Sequence, residues 1–169
     1  MRSGHKGVVR LVLDTNVVVS GLVWRGITAR LIDLAMGGGL DVGLASSPAL
    51  LSELRDVIQR RKFHKQLIQR ASNTEVFMAS YIDMVDLVSP ADLPPTILAD
   101  PDDDVVLATA VAADAHLIVT GDAHLLRLRR FRNVLIVNVP VAISMLGTAI
   151  RDRYHRRSPP KEGTPPRRL

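Results

Sequence analysis

Val8-Val9-Arg10-Leu11-Val12-Leu13-Asp14-Thr15-Asn16 is the stretch on which the fold turns, an apolar run broken only by Arg10 that ends in an acid and two small polar residues. A run this short and this apolar reads as a strand buried on both faces, the pattern of a parallel sheet covered on each side. Similar runs recur at residues 40–45, 85–88, 117–120 and 134–137. Helical patterns lie between them. Residues 27–36 form one, stopped by Gly37, Gly38 and Gly39, which cannot sustain a helix and commonly follow its last turn. Ser47 and Pro48 open the next, an N-cap followed by proline at the first helical position, and it runs to about residue 61. A third occupies much of 65–84, a fourth runs from the aspartates at 102–104 to Ala115, and a last one starts at Pro140.

Strands that alternate with helices imply parallel pairing through right-handed crossovers, so the fold class is α/β. The 169 residues suffice for one core, and with 47% hydrophobic but only 4% aromatic residues that core is aliphatic. One domain over residues 1–150 is expected, followed by a flexible basic, proline-rich tail at 151–169 that cannot pack a core. No repeat, GxGxxG phosphate loop or second domain is visible. The apolar runs are too short to cross a bilayer and residues 1–7 lack a signal peptide's apolar segment, which points to a cytoplasmic protein with no membrane partner. Cysteine is absent, so a bound metal would be held by oxygen or imidazole, and oxygen favours Mg²⁺ or Mn²⁺. The net charge of +5 favours a polyanionic partner.

Ligands of an open parallel sheet bind beyond the carboxyl ends of its strands. Asp14 ends the first strand and Asp122 follows the fourth, each in the order apolar strand, turn residues, acid. A capping aspartate is the ordinary reading of one such residue; two at equivalent positions weaken it. Glu53 lies at the edge of the apolar stripe made by Leu50, Leu54, Val57 and Ile58, half drawn inward. In Asp100-Pro101-Asp102-Asp103-Asp104 like charges crowd the start of one helix, whose dipole offsets only part of the repulsion. Asp104, just before Val105-Val106-Leu107-Ala108, is the acid expected to face the strand-end cleft, with Asp103 sharing the role and Asp100 and Asp102 as caps. Asp14, Glu53, Asp104 and Asp122 would then line a pocket suited to one or two hard divalent ions, which polarise a phosphodiester and lower the pKa of the attacking water. Asn16 would position that water or a phosphate oxygen, or else cap a helix.

At these residues the sequence resembles the PIN-domain nucleases, in particular the bacterial toxin components of toxin–antitoxin systems related to VapC. Four blocks carry the resemblance: Leu13-Asp14-Thr15-Asn16-Val17-Val18-Val19-Ser20-Gly21, Ser47-Pro48-Ala49-Leu50-Leu51-Ser52-Glu53-Leu54, Asp100-Pro101-Asp102-Asp103-Asp104 with its helix, and Val119-Thr120-Gly121-Asp122-Ala123-His124-Leu125-Leu126. They span about residues 8–139, leaving out the basic tail. The resemblance implies an α/β/α sandwich around a parallel sheet, dependence on Mg²⁺ or Mn²⁺, endonucleolytic cleavage of RNA, a homodimer, and a cognate antitoxin partner. Asp14, Glu53, Asp104 and Asp122 match the family's acidic positions, with a one-residue shift between Asp103 and Asp104 left open by the three consecutive aspartates.

Other conspicuous residues have ordinary readings. Trp24 is packing or dimer surface before it is a base-stacking platform. His116 and His124 are surface or supporting residues, because metal-activated water needs no histidine base. Arg127, Arg129, Arg130 and Arg132 form a solvated basic face, or beside a nuclease cleft a holder of backbone phosphates. Two other functions compete. An aspartyl-phosphate phosphatase would use Asp14 as nucleophile, but it needs a second acid where Asn16 stands. A non-catalytic RNA-binding module should have lost some of the four acids, and all are present.

Overall fold

Alternation of strand and helix is what the structure, a computed structural model, displays. It describes residues 9–24, 26–36, 42–60, 74–96 and 101–157. In chain order the elements are β1 (Val9–Leu13), α1 (Thr15–Trp24), α2 (Ile27–Met36), β2 (Val42–Ser46), α3 (Pro48–Gln59), α4 (Thr74–Met84), β3 (Val85–Leu87), α5 (Pro101–Ala112), β4 (Leu117–Val119), α6 (Ala123–Leu128), β5 (Arg130–Phe131), β6 (Val134–Val137) and α7 (Val139–Arg157). The six strands form one sheet in the order β3-β2-β1-β4-β6-β5. Every pairing is parallel except the β5–β6 hairpin at the edge. The central sheet is parallel as expected; the antiparallel edge is an addition to it, unread because Arg130 and Phe131 are too few to show as a strand.

The period of two along the strands decides which face each side chain serves. Leu11 and Leu13 of β1, Leu44 of β2 and Leu117 and Val119 of β4 enter one core with Val17, Val18, Leu31, Leu54 and Leu146 of the helices. Val12, Ala45, Ile118 and Ile136 enter the other with Val106, Leu107 and Ala110 of α5 and Leu125 of α6. Both faces are covered, which makes a three-layer α/β/α sandwich and explains why the strands read as unbroken apolar runs. Ser47 caps α3 as its sequence predicts: it is extended (φ −130, ψ 160), its Oγ accepts from the Leu50 N–H at 3.4 Å, and Pro48 follows.

Helix α1 is not legible as a helix in the sequence. Val17, Val18 and Val19 are β-branched and all buried, so neither propensity nor an amphipathic period announces it. Its first turn is held instead by the Asp14 carbonyl, which accepts from the N–H groups of Val17 and Val18 at 2.9 and 3.2 Å. It crosses α2 closely at Gly21, where an added Cβ would lie 2.9 Å from Ile32 Cδ1 and 3.2 Å from Thr28 Cγ2. Gly21→Leu is therefore expected to lower stability by about 1–3 kcal/mol through overpacking. Gly21→Ala should stay within about 1 kcal/mol of wild type, since its gain in helix propensity offsets the small shift of Ile32. Denaturant midpoints of the two variants measure this; a stabilised Gly21→Leu would show the crossing to be loose.

Two expectations reach beyond the described residues. The helix expected over 65–84 is α4 from Thr74, residues 65–73 lying outside the described residues. Helix α7 continues to Arg157, so the tail expected from 151 overlaps it, while residues 158–169 lie outside the described residues. Among the described residues no helix is long and apolar enough to cross a membrane.

Candidate active site

Helices α1, α5 and α6 each start with acid, and a helix N-terminus is where the backbone best tolerates negative charge. Asp14 follows β1 directly. Its N–H donates to the Val119 carbonyl at 3.0 Å, so the ends of β1 and β4 fix its backbone together. Its side chain is only 6% exposed, and Thr120 Oγ1 donates to Oδ2 at 2.7 Å. Burial pushes the Asp14 carboxyl above its ordinary pKa; hydrogen bonds from Thr120 and the Asn16 and Thr15 backbones oppose this, and the charge of Asp122 reinforces it. Thr120 Oγ1 also accepts from the Asp122 N–H at 2.9 Å. Thr120 thus ties the two strand-end acids to each other.

Asp122 is the N-cap of α6, its Oδ1 accepting from the N–H groups of His124 and Leu125 at 2.7 and 3.3 Å. The ordinary reading of Asp122 as a cap is therefore true of one oxygen and leaves the other free of that task. Glu53, half-buried on α3, accepts from Thr15 Oγ1 at 2.9 Å. Asp103 on α5 is 8% exposed and Asp102 beside it is exposed. Asp14, Asn16, Glu53, Asp102, Asp103 and Asp122, with Val106, line one pocket of about 80 Å³. Ligating atoms of Asp103, Asp122 and His124 lie within 4.8 Å of one another.

Asp104 is not in this lining. Both its carboxylate oxygens accept from the Thr96 N–H, at 3.0 and 3.2 Å, so it is turned toward the segment before α5. Helical geometry accounts for it: Asp104 stands about 100° round the axis from Asp103 and about 200° from Asp102, off the face that meets the pocket. Asp102, expected to cap, lines the pocket; Asp100 lies outside the described residues, as does the side chain of Trp24. His116 is far from the acids in the fold, its Nδ1 accepting from the Arg10 N–H at 3.1 Å. His124 stands next to Asp122, 3.7 Å from Nδ1 to Oδ1. Sequence reading passes over Thr15 and Thr120, although Thr15 adjoins Asp14 and Thr120 stands one residue from Asp122.

Apart from Val106, the lining consists of carboxylates and one amide, with no lysine or arginine among the described residues. Such a donor set fits a hard divalent cation and suits nothing anionic by itself. A family model described as PIN domain matches residues 10–124. The chain belongs to the PIN domain family. The matched segment of this PIN domain encloses every acid of the pocket and ends at His124, before the basic hairpin. Comparison with curated proteins gives no match. Among solved structures, the fold is similar to a chain in the crystal structure of VapBC2 from Rickettsia felis bound to a DNA fragment from their promoter. The TM-score is 0.52 at 14% identity, over 77% of this chain and 98% of that one. At that identity the likeness is one of fold.

Proposed function

We propose that this PIN domain is a metal-dependent endoribonuclease and the toxin component of a toxin–antitoxin system. The observation that carries the reading is the convergence of Asp14, Glu53, Asp103 and Asp122 from four separate parts of the chain into one pocket with no cationic side chain in its lining among the described residues. Clustered carboxylates repel one another, so a site that burial and hydrogen bonds nonetheless hold together is built for a cation. Asp14, Asp103, Asp122 and Glu53 would hold Mg²⁺ or Mn²⁺, with Asp102 and His124 at the rim. When bound, such an ion supplies a polarised phosphodiester and a water acidified enough to attack phosphorus.

The chain's own residues set the rest. Thr120 locks Asp14 against Asp122, and Thr15 holds Glu53 toward the same space, so these acids need little rearrangement to act together. Asn16, exposed at the pocket wall, can offer an amide N–H to a phosphate oxygen or orient the attacking water. It cannot protonate a leaving group, which counts against the phosphatase. The gathered acids count against a module that only binds RNA.

The family membership and the likeness to a VapBC2 chain support a cognate antitoxin as protein partner, and a homodimer is proposed as the working form from the sequence resemblance alone. The basic charge supports RNA as substrate. The test is incubation of purified protein with a panel of end-labelled RNAs in Mg²⁺, in Mn²⁺ and in excess chelator. Internal cuts that vanish in chelator and return with added metal are the expected result. Cutting that persists in excess chelator would overturn the metal mechanism, and turnover of small phosphomonoesters with intact RNA would establish the phosphatase instead.

A further inference from the structure

The closest gathering of potential metal ligands beside the pocket includes a nitrogen. Ligating atoms of Asp103, Asp122 and His124 all lie within 4.8 Å of one another, and among the described residues no other three acid or histidine side chains bring such atoms so near. Asp103 belongs to α5, Asp122 is the N-cap of α6, and His124 lies in the first turn of that helix. Asp14 and Glu53, held by Thr120 and Thr15, stand outside this trio.

Ordinary roles leave His124 unexplained. Its Nδ1 is 3.7 Å from Asp122 Oδ1, too far for a hydrogen bond. The cap does not need the imidazole: Asp122 Oδ1 accepts from the backbone N–H groups of His124 and Leu125, which any residue but proline would supply. Nor does the side chain fill a core, being 43% exposed.

Spacing suits a shared ion. Two ligand atoms on one divalent ion, each about 2.1 Å from it, are about 3–4 Å apart. The 3.7 Å between His124 and Asp122 falls in that span, and an exposed side chain changes rotamer readily enough to close the rest.

Donor chemistry then separates the two ions the acids alone would accept. Mg²⁺ is a hard ion that binds through oxygen and keeps several waters, so an imidazole nitrogen adds little to its hold. Mn²⁺ also suits carboxylates, but it belongs to the first-row series whose members take nitrogen and oxygen together. We infer that His124 is a ligand of the ion in the acid pocket and biases the site toward Mn²⁺ over Mg²⁺, an inference that rests on the metal-dependent reading above. The carboxylates provide charge, and the imidazole provides selectivity.

The experiment measures metal binding to the full chain without RNA, so its readout does not depend on turnover. Free Mn²⁺ is followed by electron paramagnetic resonance in wild type and in His124→Asn, with Mg²⁺ added as competitor. Wild type should bind Mn²⁺ more tightly than Mg²⁺. His124→Asn should lose at least about tenfold in Mn²⁺ affinity, the loss that changes outside a ligand shell already cause, and stay within about twofold for Mg²⁺. Electron spin echoes from Mn²⁺-loaded wild type should show modulation by a directly bound ¹⁴N. That modulation should change when the histidines carry ¹⁵N and should be missing from His124→Asn. Should His124→Asn melt low, His124→Ala is read in the same way. Mn²⁺ bound without a nitrogen, or an equal preference for Mn²⁺ over Mg²⁺ in wild type and variant, would overturn the ligand and leave the metal nuclease in place. Nitrogen-bound Mn²⁺ in a protein that cuts no RNA would keep the ligand and remove the nuclease. Wild type that binds neither ion would overturn both.

Discussion

Asp14→Asn is expected to abolish RNA cleavage while leaving the metal-free fold at least as stable as wild type. The two effects come from one fact, that Asp14 is a buried carboxylate facing other carboxylates. Removing its charge removes a metal ligand, and the rate should fall at least about a hundredfold, the loss that changes outside the ligand shell already cause. Stability runs the other way. The folded protein raises the Asp14 pKa, so it favours the protonated form and resists ionisation. The stability that group contributes is full below its ordinary value of 3.8 and is lost as pH rises through the higher folded value. Asparagine keeps an oxygen for the Thr120 hydroxyl and never ionises. In chelator, the variant should therefore melt with wild type near pH 4 and above it at pH 7, by an amount worth up to about 1 kcal/mol. Added Mg²⁺ should then raise the melting temperature of wild type more than that of the variant. Melting curves at both pH values, with and without metal, decide it. A variant clearly less stable in chelator at pH 7 would make Asp14 a structural cap, and cleavage at wild-type rates would remove it from the site.

How much of this is legible in the sequence follows from which interactions are local. Buried strands such as Leu11-Val12-Leu13 and Leu117-Ile118-Val119 announce themselves because both faces of the sheet are covered, and their order with the intervening helices yields the α/β/α class. Ser47 and Pro48 mark a helix start by chemistry confined to three residues. Helix α1 is hidden because its support is tertiary: Val17, Val18 and Val19, poor helix formers alone, are all buried where α1 packs on α2 and α3, and three successive buried residues give no helical period. The β5–β6 hairpin is hidden by its brevity. At the site, strand-end position brings Asp14 and Asp122 to notice, and the helix stripe brings Glu53. Thr15 and Thr120 are invisible as a pair, since their meaning is a hydrogen bond across 38 residues in one case and 106 in the other. The three aspartates of α5 cannot be ranked from sequence, because local rules place all of them well at a helix start and only the neighbouring elements distinguish their directions.

Those aspartates supply the second large effect. Asp103→Asn is expected to lower cleavage at least about a hundredfold, whereas Asp104→Asn should leave it within about fivefold of wild type, a change typical of a residue that touches neither metal nor substrate. Asp103 is buried in the pocket wall and has a ligating atom within 4.8 Å of those of Asp122 and His124. Asp104 is spent on the Thr96 N–H, and asparagine in its place retains an oxygen for that bond. Removing the acceptor altogether separates structure from chemistry: Asp104→Ala leaves the Thr96 N–H without this partner and should cost about 1 kcal/mol of stability, the usual net worth of one hydrogen bond. Its cleavage rate, measured well below its melting temperature, should still lie near that of wild type. Initial rates over a Mn²⁺ series, beside melting curves for the three variants, make the comparison. If Asp104→Asn folded normally but lost cleavage while Asp103→Asn kept it, the pocket would be built on the next residue of α5, and the helix would have to be turned by about 100° about its axis.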